Sequence, residues 1–150
     1  MENRAAYIEF IEHHYFGNVT TGDVERVMDC FADNAKVVIR HGDLLERRFA
    51  SAPRLGQDNL LNFYQHLCDN YACWFGDFQH TIDIDAQRAA SRFHVRLNPR
   101  SDGLYSKFPA QQLSNCNFFE FTDGQIKYML IYYANLTNGD DEKPTGYPKT

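Results

Sequence analysis

The sequence predicts an α+β fold in which three N-terminal helices pack on one face of an antiparallel sheet. Three observations predict it. Apolar residues recur at helical spacing through the first third of the chain. The second half alternates apolar and polar residues with a period of two. Thr122-Asp123-Gly124 then joins the last two alternating runs, and Asp-Gly is a pair that tolerates the positive φ of a tight hairpin. A chain of 150 residues suits one domain with its own core. That domain is expected over residues 1–137, with 138–150 as a polar, flexible tail carrying Pro144 and Pro148.

In the first helix Tyr7, Ile8, Ile11 and Tyr15 share a face, with Glu9, Glu12 and His13 between them. Thr20-Thr21-Gly22-Asp23 breaks that helix and starts another. A threonine there offers the capping oxygen, and Asp23 and Glu25 suit the positive end of the helix dipole. Val24, Val27, Met28 and Phe31 form the second stripe, which Asp33-Asn34 ends. Lys36 to Arg40 is a short β-rich run. Residues 41 to 57 are charged and irregular, with Pro53 and Gly56, and read as a loop over a pocket mouth. A third helix starts near Asp58, places Leu60, Phe63, Tyr64, Leu67 and Tyr71 on one side, and ends by Gly76.

Four strands follow. Phe78, His80, Ile82 and Ile84 alternate with polar residues, as do Ser91, Phe93, Val95 and Leu97. Asn98-Pro99 and Asp102-Gly103 mark the next turn. A third strand spans about Ala110 to Phe121, and the last spans Ile126 to Leu136. That last strand is apolar on both faces, so a second cover besides the helices is expected, and a partner subunit of a homodimer would supply it. Met129, Ile131 and Tyr133 would face one way, with Cys116 and Phe118 of the preceding strand on the opposite, outer face.

Composition excludes several functions. Lys plus Arg total 15 against 20 Asp plus Glu, a formal charge of -5, which opposes nucleic-acid binding. The basic group Arg40, Arg47, Arg48 and Arg54 is interrupted by Asp43 and Glu46 and reads as a solvated loop. No apolar run follows Met1-Glu2-Asn3-Arg4, so neither a secretory signal nor a membrane span is expected, and the protein is placed in the cytoplasm. Cys30, Cys68, Cys73 and Cys116 form no C-x-x-C pair and read as reduced thiols. The aromatic share of 15% exceeds what a core needs and suggests an apolar cavity.

The candidate site residues are polar groups on apolar faces. His80 interrupts the face of Phe78, Ile82 and Ile84 and should point inward. There it would be either a general base, since imidazole titrates near neutrality, or a core histidine bonded to a carbonyl or a tyrosine. Tyr15 lies on the core face of its helix, as a donor to a developing oxyanion or as a packed tyrosine. Asn115 and Asn117 share a face with Leu113, Phe119 and Phe121. Inward amides there are costly unless bonded, which points to a pocket. His94 shares the exterior face of Arg92 and Arg96. Glu9 and His13, one turn apart beside His14, could hold a metal but fit a solvated ion pair better. No H-E-x-x-H, G-x-S-x-G or phosphate-binding glycine loop appears, so neither metal nor cofactor is expected.

Two segments carry a family resemblance. Thr21-Gly22-Asp23-Val24, followed by Cys30-Phe31-Ala32-Asp33-Asn34-Ala35-Lys36-Val37, is similar to the helix start and strand entry of the nuclear transport factor 2-like, or SnoaL-like, superfamily. Phe119 to Ile126 resembles its late hairpin, and the likeness covers about residues 5 to 136. It implies a cone-shaped barrel with a pocket under the helices. Phe78-Gln79-His80-Thr81 resembles the strand of the scytalone dehydratase-like branch that carries a catalytic histidine, and Ser114-Asn115 the place of its pocket asparagine. That branch's paired aspartate would fall at Val19-Thr20-Thr21, where no carboxylate stands. Tyr15 matches the first-helix tyrosine of ketosteroid isomerase-like members, Ile39 stands where they place an acidic base, and Asn117 where they place a carboxylic acid.

The resemblance implies a cofactor-independent dehydratase or isomerase acting on a small apolar carbonyl compound. His80 would be the base, Tyr15 the donor, and Asn115 and Asn117 the orienting amides. The alternative is a non-catalytic binding or assembly module, including the small subunit of a ring-hydroxylating oxygenase, for which 150 residues is short.

Overall fold

Asn3 opens the first helix by accepting from the Ala6 N–H at 2.9 Å. The helical run holds α1 (Arg4–Glu9), a π-helical segment (Phe10–Phe16) and α2 (Gly17–Thr21). In the π segment the Gly17 N–H reaches back to the Glu12 carbonyl, five residues away. The wider turn brings the consecutive residues Tyr15 and Phe16 both into the core, beside Ile11 and Val19. Gly22 ends the run in the left-handed region at φ 77°, where glycine carries no Cβ penalty. Asp23, rather than a threonine, caps α3 (Val24–Asp29), its carboxylate accepting from the Arg26 N–H at 3.2 Å. The Thr21 hydroxyl instead donates back to the Asn18 carbonyl.

In this computed structural model the described residues are 1–41, 44–52 and 58–135. The expected tail, 138–150, lies outside them. Seven strands form one sheet in the order β3-β2-β1-β7-β6-β5-β4. They are β1 (Phe31–His41), β2 (Leu44–Ala50), β3 (Asp58–Asn59), β4 (Tyr71–Asp83), β5 (Arg88–Pro99), β6 (Gln111–Thr122) and β7 (Gln125–Asn135), with α4 (Leu60–Asn70) between β3 and β4. The β4–β5, β5–β6, β6–β7 and β1–β2 pairs are antiparallel, whereas β1 pairs with β7 in parallel. The sheet curves around the helices without closing, with β3 and β4 as its edges. The α+β architecture expected from the sequence, helices packed on a curved sheet in a cone, is thus the observed one.

Three boundaries differ from the sequence reading, each for a local reason. The segment read as a loop over 41–57 contains β2, which pairs Val37 with Phe49 and Ile39 with Arg47. Arg47 and Arg48 are exposed, and charge near a sheet edge masks a strand in the sequence. The strand after α3 begins at Phe31, five residues before Lys36. α4 stops at Asn70 with no glycine, because Tyr71 goes directly to extended backbone at φ -133°. In β4, Asp77 adopts φ 57° within a register shift between Gly76 and Gln79. That bulge changes the phase of the alternation. It keeps both Phe75 and His80 on the inner face, which a regular strand would split.

The core fills the space between the helices and the inner face. Ile11, Leu60, Val37, Phe49, Phe93 and Met129 are buried there. Asp123 and Gly124, at φ 49° and 74°, form the β6–β7 hairpin that their sequence predicts. Among the described residues no helix is long and apolar enough to cross a membrane.

Candidate active site

A cavity of about 330 Å³ opens between the first helical run, α4 and the inner face of the sheet. Its walls are mainly apolar, with Phe16, Phe63, Phe75, Phe93 and Ile131 among them. Arg47 lines it as well. It is half-exposed, bonds Asp58 at 3.0 Å and lies over the Phe49 ring at 4.4 Å, so its charge is already engaged at the rim.

Two tyrosines meet in the wall. Tyr15 comes from the π segment and Tyr64 from α4, and their hydroxyls share a hydrogen bond of 2.5 Å. Ring edges hold the pair, with Phe31 and Phe119 packed against Tyr15. Burial pushes both phenols well above their ordinary value, so each keeps its proton near neutral pH. Of the two hydroxyl protons one serves the mutual bond, and the second is not used by it.

Asn115 and Asn117 come from β6, two residues apart, and both line the cavity. The Oδ1 atoms of both are buried and accept no hydrogen bond. Asn117 is 2% exposed, and its Nδ2 donates only to the Met129 sulfur at 3.7 Å. A buried amide oxygen without a donor is costly, on the order of 1–3 kcal/mol. Both residues line the cavity, so these unpaired oxygens lie in its wall, just behind the accessible surface.

His80 lies elsewhere. Its side chain is 4% exposed, Nε2 is 2.7 Å from Glu12 Oε2, and Nδ1 is 2.8 Å from Ser91 Oγ. Its ring stacks on Phe78 at 5.3 Å. Phe78 packs on Phe16 and Phe93, and those two rings line the cavity. The structure thus gathers Tyr15, Asn115 and Asn117 around one space and sets His80 one aromatic layer behind it. Among the described residues the wall holds no histidine and no carboxylate.

Three participants escaped sequence reasoning: Tyr64, Glu12 and Ser91. Glu12 supplies the carboxylate for His80 that the family pattern places elsewhere, and it reaches across 68 residues. Ser91 could have been found, because it heads the inward face of its strand directly opposite His80. Tyr64 could have been found on the buried stripe of α4. The other two candidates make exposed histidine–carboxylate contacts: Glu9–His13 at 3.7 Å and Asp77–His94 at 3.1 Å.

Known folds place this architecture. The epoxide hydrolase/cyclase-like enzyme SalBIII, of pyran ring formation in salinomycin, superposes with TM-score 0.67 at 14% identity, over 89% of this chain and 95% of its own. A proposed polyketide cyclase from Xanthomonas campestris gives 0.66 at 18%, over 87% and 92%. An LEH-like epoxide hydrolase from M. tuberculosis gives 0.63 at 14%, over 87% and 84%. At such identities these likenesses establish the fold alone. No curated protein matches the sequence significantly. The profile of the SnoaL-like domain matches residues 4–129, most of the chain, and with the fold and the pocket described, the protein belongs to the SnoaL-like domain family.

Proposed function

We propose that the protein is a cofactor-independent enzyme of the isomerase or cyclase type, acting within one small, largely apolar, oxygen-bearing molecule. One observation carries this reading: a single apolar cavity is lined by the hydrogen-bonded Tyr15–Tyr64 pair and by Asn115 and Asn117, whose buried amide oxygens have no partner. A carbonyl or ether oxygen would accept from the tyrosine pair. A hydroxyl of the same molecule would donate to an asparagine. Held so, the hydroxyl oxygen can add to the carbon whose oxygen the tyrosines polarise. That carbon's bond to the polarised oxygen (the π bond of a carbonyl or the ring bond of an epoxide) breaks. The freed oxygen takes a tyrosine proton, and the hydroxyl's own proton restores the tyrosine pair, with no second substrate. The tyrosines act by stabilising charge that grows on the acceptor oxygen, and the asparagines by fixing orientation. The volume is at the small end of the roughly 300–1,000 Å³ typical of ligand pockets, which suits one or two rings. The structural relatives named for cyclisation and epoxide opening support the class.

The dehydratase route with His80 as base finds less support, because both imidazole nitrogens are engaged and an aromatic layer separates the ring from the cavity. A non-catalytic binding module is the second reading, and the lack of a histidine or carboxylate on the described wall favours it. Turnover of a panel of cyclic hydroxy enones and epoxy alcohols, followed by NMR, tests the proposal. The double variant Tyr15→Phe, Tyr64→Phe should lose about 100-fold or more in rate on any compound turned over. Undiminished turnover would refute the assignment. Saturable binding without turnover across the panel would move the reading to the binding module.

A homodimer over the outer sheet face belongs to the same proposal. Phe118 and Tyr132 are 44% and 36% exposed there, with ring centroids 6.3 Å apart. Sedimentation equilibrium at micromolar protein should show twice the 17.4 kDa chain mass, and a clean monomer would contradict it.

A further inference from the structure

His80, Ser91 and Asn117 lie in one row across the inner face of the sheet. His80 pairs with Ser91 between β4 and β5, and Ser91 pairs with Asn117 between β5 and β6. All three are nearly inaccessible: the His80 side chain is 4% exposed, Ser91 0% and Asn117 2%. The row begins at Glu12, whose side chain is 28% exposed, and it ends at the cavity wall. A hydrogen-bonded run from Glu12 through His80 to Ser91 therefore leads from near the surface to the residue opposite Asn117.

The chemistry of each bond is constrained. A carboxylate only accepts, so the Glu12 contact requires a hydrogen on Nε2 of His80. In the neutral ring Nδ1 then carries a lone pair, and the Ser91 hydroxyl must donate to it. That commits the only proton Ser91 has, and Asn117 Oδ1 is left without a donor. Adding a proton from solvent puts a hydrogen on Nδ1. The Nδ1–Ser91 bond then reverses, with the imidazolium donating and the Ser91 oxygen accepting. The serine proton is released and must find another acceptor. Directly opposed residues in an antiparallel pair have Cβ atoms about 5 Å apart, so Asn117, whose Oδ1 has no donor, is the neighbour to which the released hydroxyl would turn.

We propose that Glu12, His80 and Ser91 form a hydrogen-bond relay that decides whether Asn117 Oδ1 is free to bind a ligand in the cavity. With His80 neutral, the amide oxygen has no donor, and a small turn of the Asn117 side chain in the cavity wall would present it to the ligand's hydroxyl. With His80 protonated, Ser91 occupies it. The three are positioning residues, since none of them touches the cavity. The groups facing His80 are Glu12 from the π segment, Ser91 from β5, and Phe78 from its own strand. Of the nearby charged groups, Glu9 is held by His13 at the surface, and Asp83 further along β4 is exposed and acts on Tyr7. The relay rests on the pocket reading above only for its consequence, and its proton logic can be tested without any ligand.

The test is an NMR titration of the ligand-free protein from about pH 8 to about pH 5, the range in which imidazole changes charge. The ¹⁵N shifts of the His80 ring report its protonation, and the Asn117 side-chain amide reports the acceptor. In the wild type the Asn117 amide should move with the same midpoint as His80. In Ser91→Ala the His80 ring should still titrate while the Asn117 response is lost. An Asn117 amide that ignores the His80 midpoint, or that still follows it in Ser91→Ala, overturns the relay. Should Ser91→Ala not fold, the wild-type midpoints decide alone. A second arm uses 4-hydroxycyclohexanone as the probe. Its affinity should fall about three- to tenfold on protonation of His80, the worth of one hydrogen bond, and stay flat in Ser91→Ala. Failure of this probe to bind at any pH would count against the pocket reading, while a pH-independent affinity in the wild type would count against the relay.

Discussion

Two polar clusters share the inner face of this sheet and obey opposite rules. Around His80 both ring nitrogens have partners, Glu12 and Ser91. Around the cavity, a few ångströms across the Phe16–Phe93 layer, the Asn115 and Asn117 oxygens have none and the tyrosine pair keeps a proton to spare. A fully paired buried cluster holds its members in place, whereas one left open keeps hydrogen-bonding capacity unused. The same polar residue type on an apolar strand can belong to either. Only the partner across the fold tells them apart.

The comparison is broken most violently by removing the wall between the clusters. Phe93 is 2% exposed and packs on Phe16 at 4.7 Å and Phe78 at 5.5 Å. Phe93→Ala should cost about 3–5 kcal/mol, read by urea or thermal unfolding. A loss under ~1 kcal/mol would mean the layer is not a packed partition.

Substitution within each cluster should then have opposite signs. Glu12→Ala strands the Nε2–H of a buried imidazole and should destabilise by about 1–2 kcal/mol, tempered by the partial exposure of Glu12. Asn117→Leu replaces an unpaired amide by an apolar group of similar volume. It should leave stability unchanged or raise it by up to about 1 kcal/mol, while weakening ligands that carry a hydroxyl. Denaturant midpoints on the two variants read both signs. Equal losses would dissolve the distinction.

The tyrosine pair sharpens the comparison at high pH. Burial raises both phenols above the ordinary value of 10.0. A raised folded-state value means that the unfolded chain releases these protons first. The stabilisation is whole below about pH 10 and is lost as pH rises beyond it. Absorbance of ionised tyrosine should therefore show these two phenols ionising only with unfolding. The alkaline fall in stability should be shallower in Tyr64→Phe. A slope identical to the wild type would contradict the buried pair.

Much of this molecule was legible in its sequence, because short-range chemistry determines it. Asp123-Gly124 specified a hairpin, and Ser91, Phe93 and Val95 specified an inward face. Tyr15, Asn115 and Asn117 stood out as polar residues on apolar faces, and the cavity gathers them. What stayed hidden depends on distant partners or on phase. Arg47 and Arg48 disguised β2 as a loop. The stripe of α4 ran on into Tyr71, so the start of β4 was missed. The Asp77 bulge rephases β4, and so it helps decide that His80 meets Ser91 rather than solvent. No local pattern could join Glu12 to His80 or Tyr15 to Tyr64, which are 68 and 49 residues apart.

The central claim is that the cavity's unpaired groups await a neutral guest with one donor and one acceptor. Parallel titrations with 4-hydroxycyclohexanone and cyclohexanone, followed on the side-chain amides of Asn115 and Asn117, test it most directly. Near pH 8 the hydroxy ketone should bind about tenfold more tightly and shift those amides, since its hydroxyl fills an oxygen that the ketone leaves empty. Equal affinities, or shifts that bypass both asparagines, would contradict it.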